Sequence, residues 1–290
     1  MAGGHDLRVL FLHDLDSAPG SEKQRLLEKA IGKQRVKAPN LKTRQTIMLF
    51  VLIFLVLTVC LLSTVIAAAV LAKWYIGMCV FIASAALLLL AYWFGGKAAT
   101  RYMWQKAVRI AEKKFKEQRS NVIVATSFGS VVALSMDVPK VPMLLLSPAH
   151  EQYCRFMRLR NGFTLHGIPY VVIVHGSGDK TVPLDDSIRL LETADGPGRS
   201  RLEVINDTHA LKSVKPEELR QWVEEVYTQG KQQVKILADS GAKNVDASLY
   251  EWGDQETDAG KAAKHEPENG DEGSSRGTSA TQEPTGTGSV

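Results

Sequence analysis

One serine, one aspartate and one histidine in this chain have the types and places to carry out chemistry. Ser127 stands in Val124-Ala125-Thr126-Ser127-Phe128-Gly129-Ser130, where an apolar strand pattern passes into a helical one. A serine on a strained strand-to-helix turn presents its Oγ above the sheet, and the pattern G-x-S-x-G leaves room for that turn. Gly129 fits the pattern, and Ala125, in place of the first glycine, is still small. A serine at such a junction also serves as an ordinary helix cap, so the segment needs support from elsewhere. Asp179, in His175-Gly176-Ser177-Gly178-Asp179-Lys180-Thr181-Val182-Pro183, follows one strand pattern, and His209, in Asn206-Asp207-Thr208-His209-Ala210-Leu211, follows another. The order is Ser…Asp…His. Each residue falls at the C-terminal end of a successive strand, where parallel sheets gather their sites. Such a trio does nucleophilic chemistry: histidine takes the serine proton while aspartate holds the imidazole tautomer.

The remaining titratable groups are weaker candidates. His13 fits a role in fixing the loop after the first strand, and His175 a structural role beside the aspartate. His150 and His166 flank the segment after residues 141–147, and His5 and His265 read as solvent-exposed. Asp185 and Asp186 lead into a helix. No Cys/His spacing suggests zinc, and the proposed chemistry needs neither metal nor cofactor.

The elements around these residues follow from periodicity. Strands are expected at 7–14, 35–38, 121–126, 141–146, 170–174 and 202–205. Helices are expected after Ser21 (a capping box with Gln24) and at 98–118, 131–136, 187–193 and 216–227. The apolar face of 98–118 is read as Tyr102, Val108, Ile110, Ala111 and Phe115. This alternation implies an α/β fold, a mostly parallel sheet with helices on both faces.

An apolar block interrupts the pattern. Thr46–Val70 and Tyr75–Phe94 contain no charged residue, and about 20 apolar residues span a bilayer core. We expect a two-helix transmembrane hairpin at 46–94, with spans 46–70 and 75–94 and with Gly95-Gly96 ending the second. Basic residues crowd both outer flanks, whereas the tip offers only Lys73. An integral membrane protein with both termini in the cytosol follows from the positive-inside rule. Trp74, Tyr75, Tyr92 and Trp93 sit where interfacial aromatics belong.

The average composition conceals this. In 290 residues, 45% are hydrophobic and 23% charged, as in a soluble globule. The last 41 residues nevertheless carry a net −6 and the others +10. A basic body suits nucleic acid or an anionic membrane surface. The apolar block favours the membrane, and no nucleic-acid-binding motif is present. Three cysteines cannot form a secreted disulfide framework. The organisation expected is a first domain part at 1–45, the hairpin, the remainder of the domain at 95–230, and a polar, mostly disordered tail at 231–290. Leu249, Tyr250 and Trp252 form an apolar island in that tail, expected to be exposed.

These motifs resemble the α/β-hydrolases: G-x-x-D-x-x-V-P around Asp179 and His-x-Leu at His209 look like that family's acid and base motifs. The opening FLHDLDSAPGSEKQRLLEKAI resembles the H-G-x-x-S-x-P-x-S-x-K start of small bacterial YqiA-like esterases. The resemblance covers roughly 7–41 and 98–228. It implies Ser127 as nucleophile, His209 as base, Asp179 as its orienter, and the backbone N–H groups of Phe128 and Leu15 as oxyanion donors. It also places a lid at 148–167, where Arg155, Phe156 and Arg158 are candidate cap or substrate-binding residues. The activity implied is cleavage of an ester or thioester, as an esterase, thioesterase or lipase. The hairpin, which leaves the sheet on the edge that carries Ser127, Asp179 and His209, adds the expectation of membrane lipids as partners and of a lipid-like substrate. One departure matters: His13-Asp14 replaces the family's His-Gly, and a carboxylate there would repel a developing oxyanion. The alternative is an inactive membrane scaffold on the same fold.

Overall fold

The computed structural model describes residues 6–71, 74–157, 159 and 162–250. Strands β1 (Val9–Leu12), β2 (Val36–Lys37), β3 (Val122–Thr126), β4 (Met143–Leu146), β5 (Val171–Gly176) and β6 (Ser200–Ile205) form one sheet. Its order is β2-β1-β3-β4-β5-β6, and every pairing is parallel. The α/β class is therefore as expected, with strands shorter than the apolar runs that contain them. β1, β3, β4 and β5 are wholly buried. That is why they read as continuous apolar runs rather than alternating ones.

The helices are α1 (Glu22–Ile31), α2 (Thr43–Leu71), α3 (Trp74–Gln118), α4 (Phe128–Ser135), α5 (His150–Met157), α6 (Leu184–Leu191) and α7 (Pro216–Asp239). Chain order reverses direction across the sheet between β1 and β3. Right-handed crossovers then put α1 and α3 on opposite faces. α1 packs with α7, while α3 packs with α4. The reversal opens a crevice at the C-terminal ends of β1 and β3.

α2 and the first half of α3 are long and apolar enough to cross a membrane. At 1.5 Å per residue, the 29 residues of α2 reach about 43 Å, against about 30 Å of hydrocarbon. Almost none of their apolar residues is buried within the chain, so they are not core helices. Near the tip Gly77 allows close approach, its missing Cβ lying 3.3 Å from Ala69 Cα.

Three expectations are corrected. First, Gly95-Gly96 does not end the second helix, because α3 runs unbroken from Trp74 to Gln118. Glycine costs a helix about 1 kcal/mol per residue, a penalty that the surrounding turns and the docked half of α3 overcome. Second, α3 meets the sheet through Met103, Ala107, Ala111 and Phe115, all buried at i, i+4 spacing, while Tyr102 is exposed. Two alanines on that stripe bring the helix close. Third, α7 continues to Asp239, and residues up to 250 are packed. Leu249 and Tyr250 are buried, the Tyr250 hydroxyl donates to the Asn121 carbonyl (2.7 Å), and Arg8 Nη2 donates to the Leu249 carbonyl (2.7 Å). This segment therefore closes the N-terminal edge of β1 and β3. Trp252 and the acidic tail beyond 250 lie outside the described residues.

Candidate active site

β3 ends at Thr126, and α4 begins at Phe128, so Ser127 alone makes the turn. Its backbone sits at φ 48°, ψ −112°, a conformation costly for a residue with a Cβ and typical of functional sites. The Ser127 side chain makes no capping bond to α4. Its hydroxyl instead donates to His209 Nε2 at 3.1 Å. The turn is possible because residue 129 is glycine: a Cβ there would overlap the Leu12 carbonyl oxygen and lie 3.0 Å from that of His13. Ala125 is accommodated inside β3, fully buried beside Leu12 and Leu145.

His209 reaches Ser127 from the loop after β6, and Asp179 reaches His209 from the loop after β5. These loops nearly touch. A Cβ at Gly176 would lie 2.5 Å from the Asp207 carbonyl oxygen, and one at Gly178 would lie 3.2 Å from it. His209 Nδ1–H donates to Asp179 Oδ2 at 2.7 Å. The Asp179 side chain is fully buried, and its other oxygen accepts from the backbone N–H of Thr181 (2.8 Å) and Val182 (2.9 Å). Burial alone would push its pKa up. The Val182 N–H, the His209 imidazole and the Thr181 N–H outweigh that and hold it below the ordinary aspartate value.

His175, read from the sequence as structural, supports this acid. Its Nε2–H donates to the Val182 carbonyl (3.0 Å), and its Nδ1 accepts from the Ser187 hydroxyl (2.8 Å). The Val182 carbonyl can only accept, which fixes the Nε2–H tautomer. Nε2 also lies 3.5 Å from Asp179 Oδ2. His13 ties the loop after β1: its Nδ1–H donates to the Asp14 carbonyl (2.8 Å), and its Nε2 accepts from the Leu41 N–H (3.3 Å). Burial lowers its pKa. Asp186 pairs with Arg189 rather than with His209. Ser130 is wholly buried inside α4.

The Phe128 N–H is the first of α4, without an intrahelical acceptor, and adjoins the Ser127 hydroxyl-bearing turn. Leu15 is half-buried, and its carbonyl accepts from Thr43 Oγ1 at 2.7 Å.

A cleft of about 590 Å³ opens over His209, with Asp14, Lys23, Thr126, Lys180 and Lys212 among its lining residues. Asp14 is not a bare charge there. Lys23 Nζ lies 3.3 Å from Asp14 Oδ2 and donates to Thr126 Oγ1 at 3.2 Å. Lys23 stands in the S-x-K segment of the opening motif, so its position was visible, but nothing local indicated that it would neutralise Asp14. Lys180 and Lys212 escaped notice because single surface lysines carry no sequence signal.

The lid candidates lie elsewhere. α5 turns His150, Tyr153 and Met157 inward, with the Tyr153 ring 5.1 Å from that of Phe128. Arg155 and Phe156 fall on the opposite, exposed face, where Arg155 pairs with Glu151, and neither lines the cleft. Arg158 lies outside the described residues. Burial, with the charges of Asp16 and Asp14, pushes the Tyr153 phenol up to about 12.

No family model matches this sequence, and no curated protein matches it. Several solved structures are similar, two of them as follows. A protein from Xanthomonas campestris pv. campestris, described as a hydrolase of the alpha/beta superfamily, is 16% identical with a TM-score of 0.45, over 76% of this chain and 98% of its own. A protein from Agrobacterium vitis S4, described as a hydrolase, is 12% identical with a TM-score of 0.33, over 44% of this chain and 68% of its own.

Proposed function

We propose that this protein is a membrane-anchored serine hydrolase that cleaves carboxylic esters or thioesters of lipid-like substrates. The observation that carries the proposal is the continuous relay from Ser127 Oγ through His209 to a buried Asp179. Ser127 Oγ attacks the substrate carbonyl carbon, and its proton passes to His209 Nε2. The carbonyl oxygen becomes an oxyanion, met by the N–H groups of Phe128 and Leu15. The tetrahedral species collapses, and His209 gives its proton to the leaving alcohol or thiol. Water, deprotonated by His209, then releases the acid from the acyl-enzyme. Asp179 stays ionised throughout and stabilises the imidazolium.

The hairpin splits the domain, whose second part runs on to about residue 250, with 46–94 in the bilayer and both termini cytosolic. Its pure α-helical spans satisfy every backbone group internally, as hydrocarbon requires. The Lys23–Asp14 pair favours an active enzyme over an inactive scaffold, because it offsets the charge that Asp14 would set beside the oxyanion.

Covalent labelling by a fluorophosphonate tests the proposal. Wild type should be labelled, Ser127→Ala should not be labelled while remaining folded, and His209→Ala should be nearly silent. Labelling that persists in Ser127→Ala would assign the chemistry to another residue.

A further inference from the structure

A second cavity lies away from the cleft. Where α2 and α3 approach the domain, an apolar groove of about 530 Å³ lies between them. Ile47, Phe50, Phe54 and Tyr92 line it, together with Gly95 and Gly96, and Thr46 stands at the end nearest the domain. Packing does not account for these two glycines. A Cβ on either would meet nothing within 4 Å, in contrast to Gly77, which is held against Ala69. Both line the groove, although both weaken a helix. An apolar groove inside the spans faces acyl chains, not water. Its volume is roughly three to four times the ~150 Å³ cavity that accepts one benzene, which is room for a single chain of on the order of twenty carbons.

Charge selects the head group. Residues 29–111 contain no Asp or Glu and eleven Lys or Arg. At the domain end of the groove, Lys106 Nζ reaches Thr46 Oγ1 at 3.3 Å. Thr46 is buried, so Lys106 marks the level at which the groove meets the polar interface. A phosphate there would be the complementary charge.

We propose that the α2–α3 groove is a binding site for one acyl chain of an anionic glycerophospholipid of the bilayer, with its phosphate against Lys106. The site adjoins the catalytic domain directly. Thr43, one turn before Thr46, holds the Leu15 carbonyl at 2.7 Å, so an occupied groove braces the loop that carries Asp14 and Leu15. The proposal rests on 46–94 lying in the bilayer and not on the hydrolase reading.

The test uses the full chain in phosphatidylcholine nanodiscs doped with phosphatidylglycerol or phosphatidylcholine bearing a diazirine on one chain. The phosphatidylglycerol probe should concentrate its adducts on Phe50, Phe54 and Leu57 of the groove rather than on Leu62 and Phe81 of the outer surface. Lys106→Gln should lower that preference about fivefold, as expected for one basic contact at the interface. Gly96→Leu should block the groove and abolish the groove adducts. Unlabelled phosphatidylglycerol, but not phosphatidylcholine, should suppress them in the wild type, a measurement that needs no variant. Adducts spread evenly over groove and outer residues, or equal competition by both lipids, would overturn the site. An absence of adducts throughout 46–94 would overturn the bilayer placement with it. Ser127→Ala should leave the adducts unchanged, which separates this result from the fate of the proposed chemistry.

Discussion

Gly129→Ala puts the geometry of the elbow at risk with a single methyl group. The added Cβ would stand 2.7 Å from the Leu12 carbonyl carbon and 3.0 Å from the His13 oxygen. Carbon atoms rest at about 3.5–4.0 Å, so the end of β1 must retreat from α4 by roughly 1 Å. Both partners are backbone at the centre of the sheet, where β1 pairs with β3, and no flexible side chain can yield. Forced overpacking of this kind costs about 1–3 kcal/mol. The functional loss should be larger. Leu15 follows His13 by two residues, and a misplacement of about 1 Å in a catalytic constellation costs on the order of 10² in rate. The assays are the second-order rate of fluorophosphonate labelling and the melting temperature of the purified protein. Gly95→Ala, placed in open space, is the matched control and should not destabilise the protein. If Gly129→Ala labels within threefold of wild type, the close approach of β1 to the elbow does not position the oxyanion loop as described.

Asp179→Asn should lower the labelling rate by on the order of 10³–10⁴ with little change in fold, because the amide favours the wrong His209 tautomer. The same variant has a pH signature. The folded-state pKa of Asp179 is depressed, so its stabilisation is complete above the unfolded value of about 3.9 and is lost as pH falls through the lower folded value. Acid-unfolding curves should therefore be steeper for wild type than for Asp179→Asn in that range, and parallel curves would refute the assignment. Asp14→Gly should raise the rate toward a short ester by up to about tenfold, since it leaves Lys23 unpaired beside the elbow; a fall would give Asp14 a positive role. Replacing 46–94 with a flexible Gly/Ser linker should spare hydrolysis of a soluble short ester. Turnover of a bilayer ester should fall by an order of magnitude or more as the effective concentration drops, and equal loss on both would make the hairpin a folding requirement.

Much of this protein is legible locally. The two apolar helices declare themselves by length, and β3 and β5 by their continuous branched apolar runs. The order of Ser127, Asp179 and His209 follows because each stands just beyond a strand, and a parallel sheet must carry all such positions to one edge. Contacts decided by chain segments far apart were not legible. Gly95 and Gly96 look like a helix end, but their local penalty is small beside the docking of Met103, Ala107, Ala111 and Phe115. Leu249 and Tyr250 look like an exposed island because their partners, Asn121 and Arg8, lie more than a hundred residues away. Asp14 looked like a lone repelling charge until the sheet and α1 brought Lys23 against it. Sequence periodicity records what each segment buries, so it determined the elements and the edge that bears the site. Which side chain neutralises, braces or closes another depends on closing long loops, and only the tertiary structure decided that.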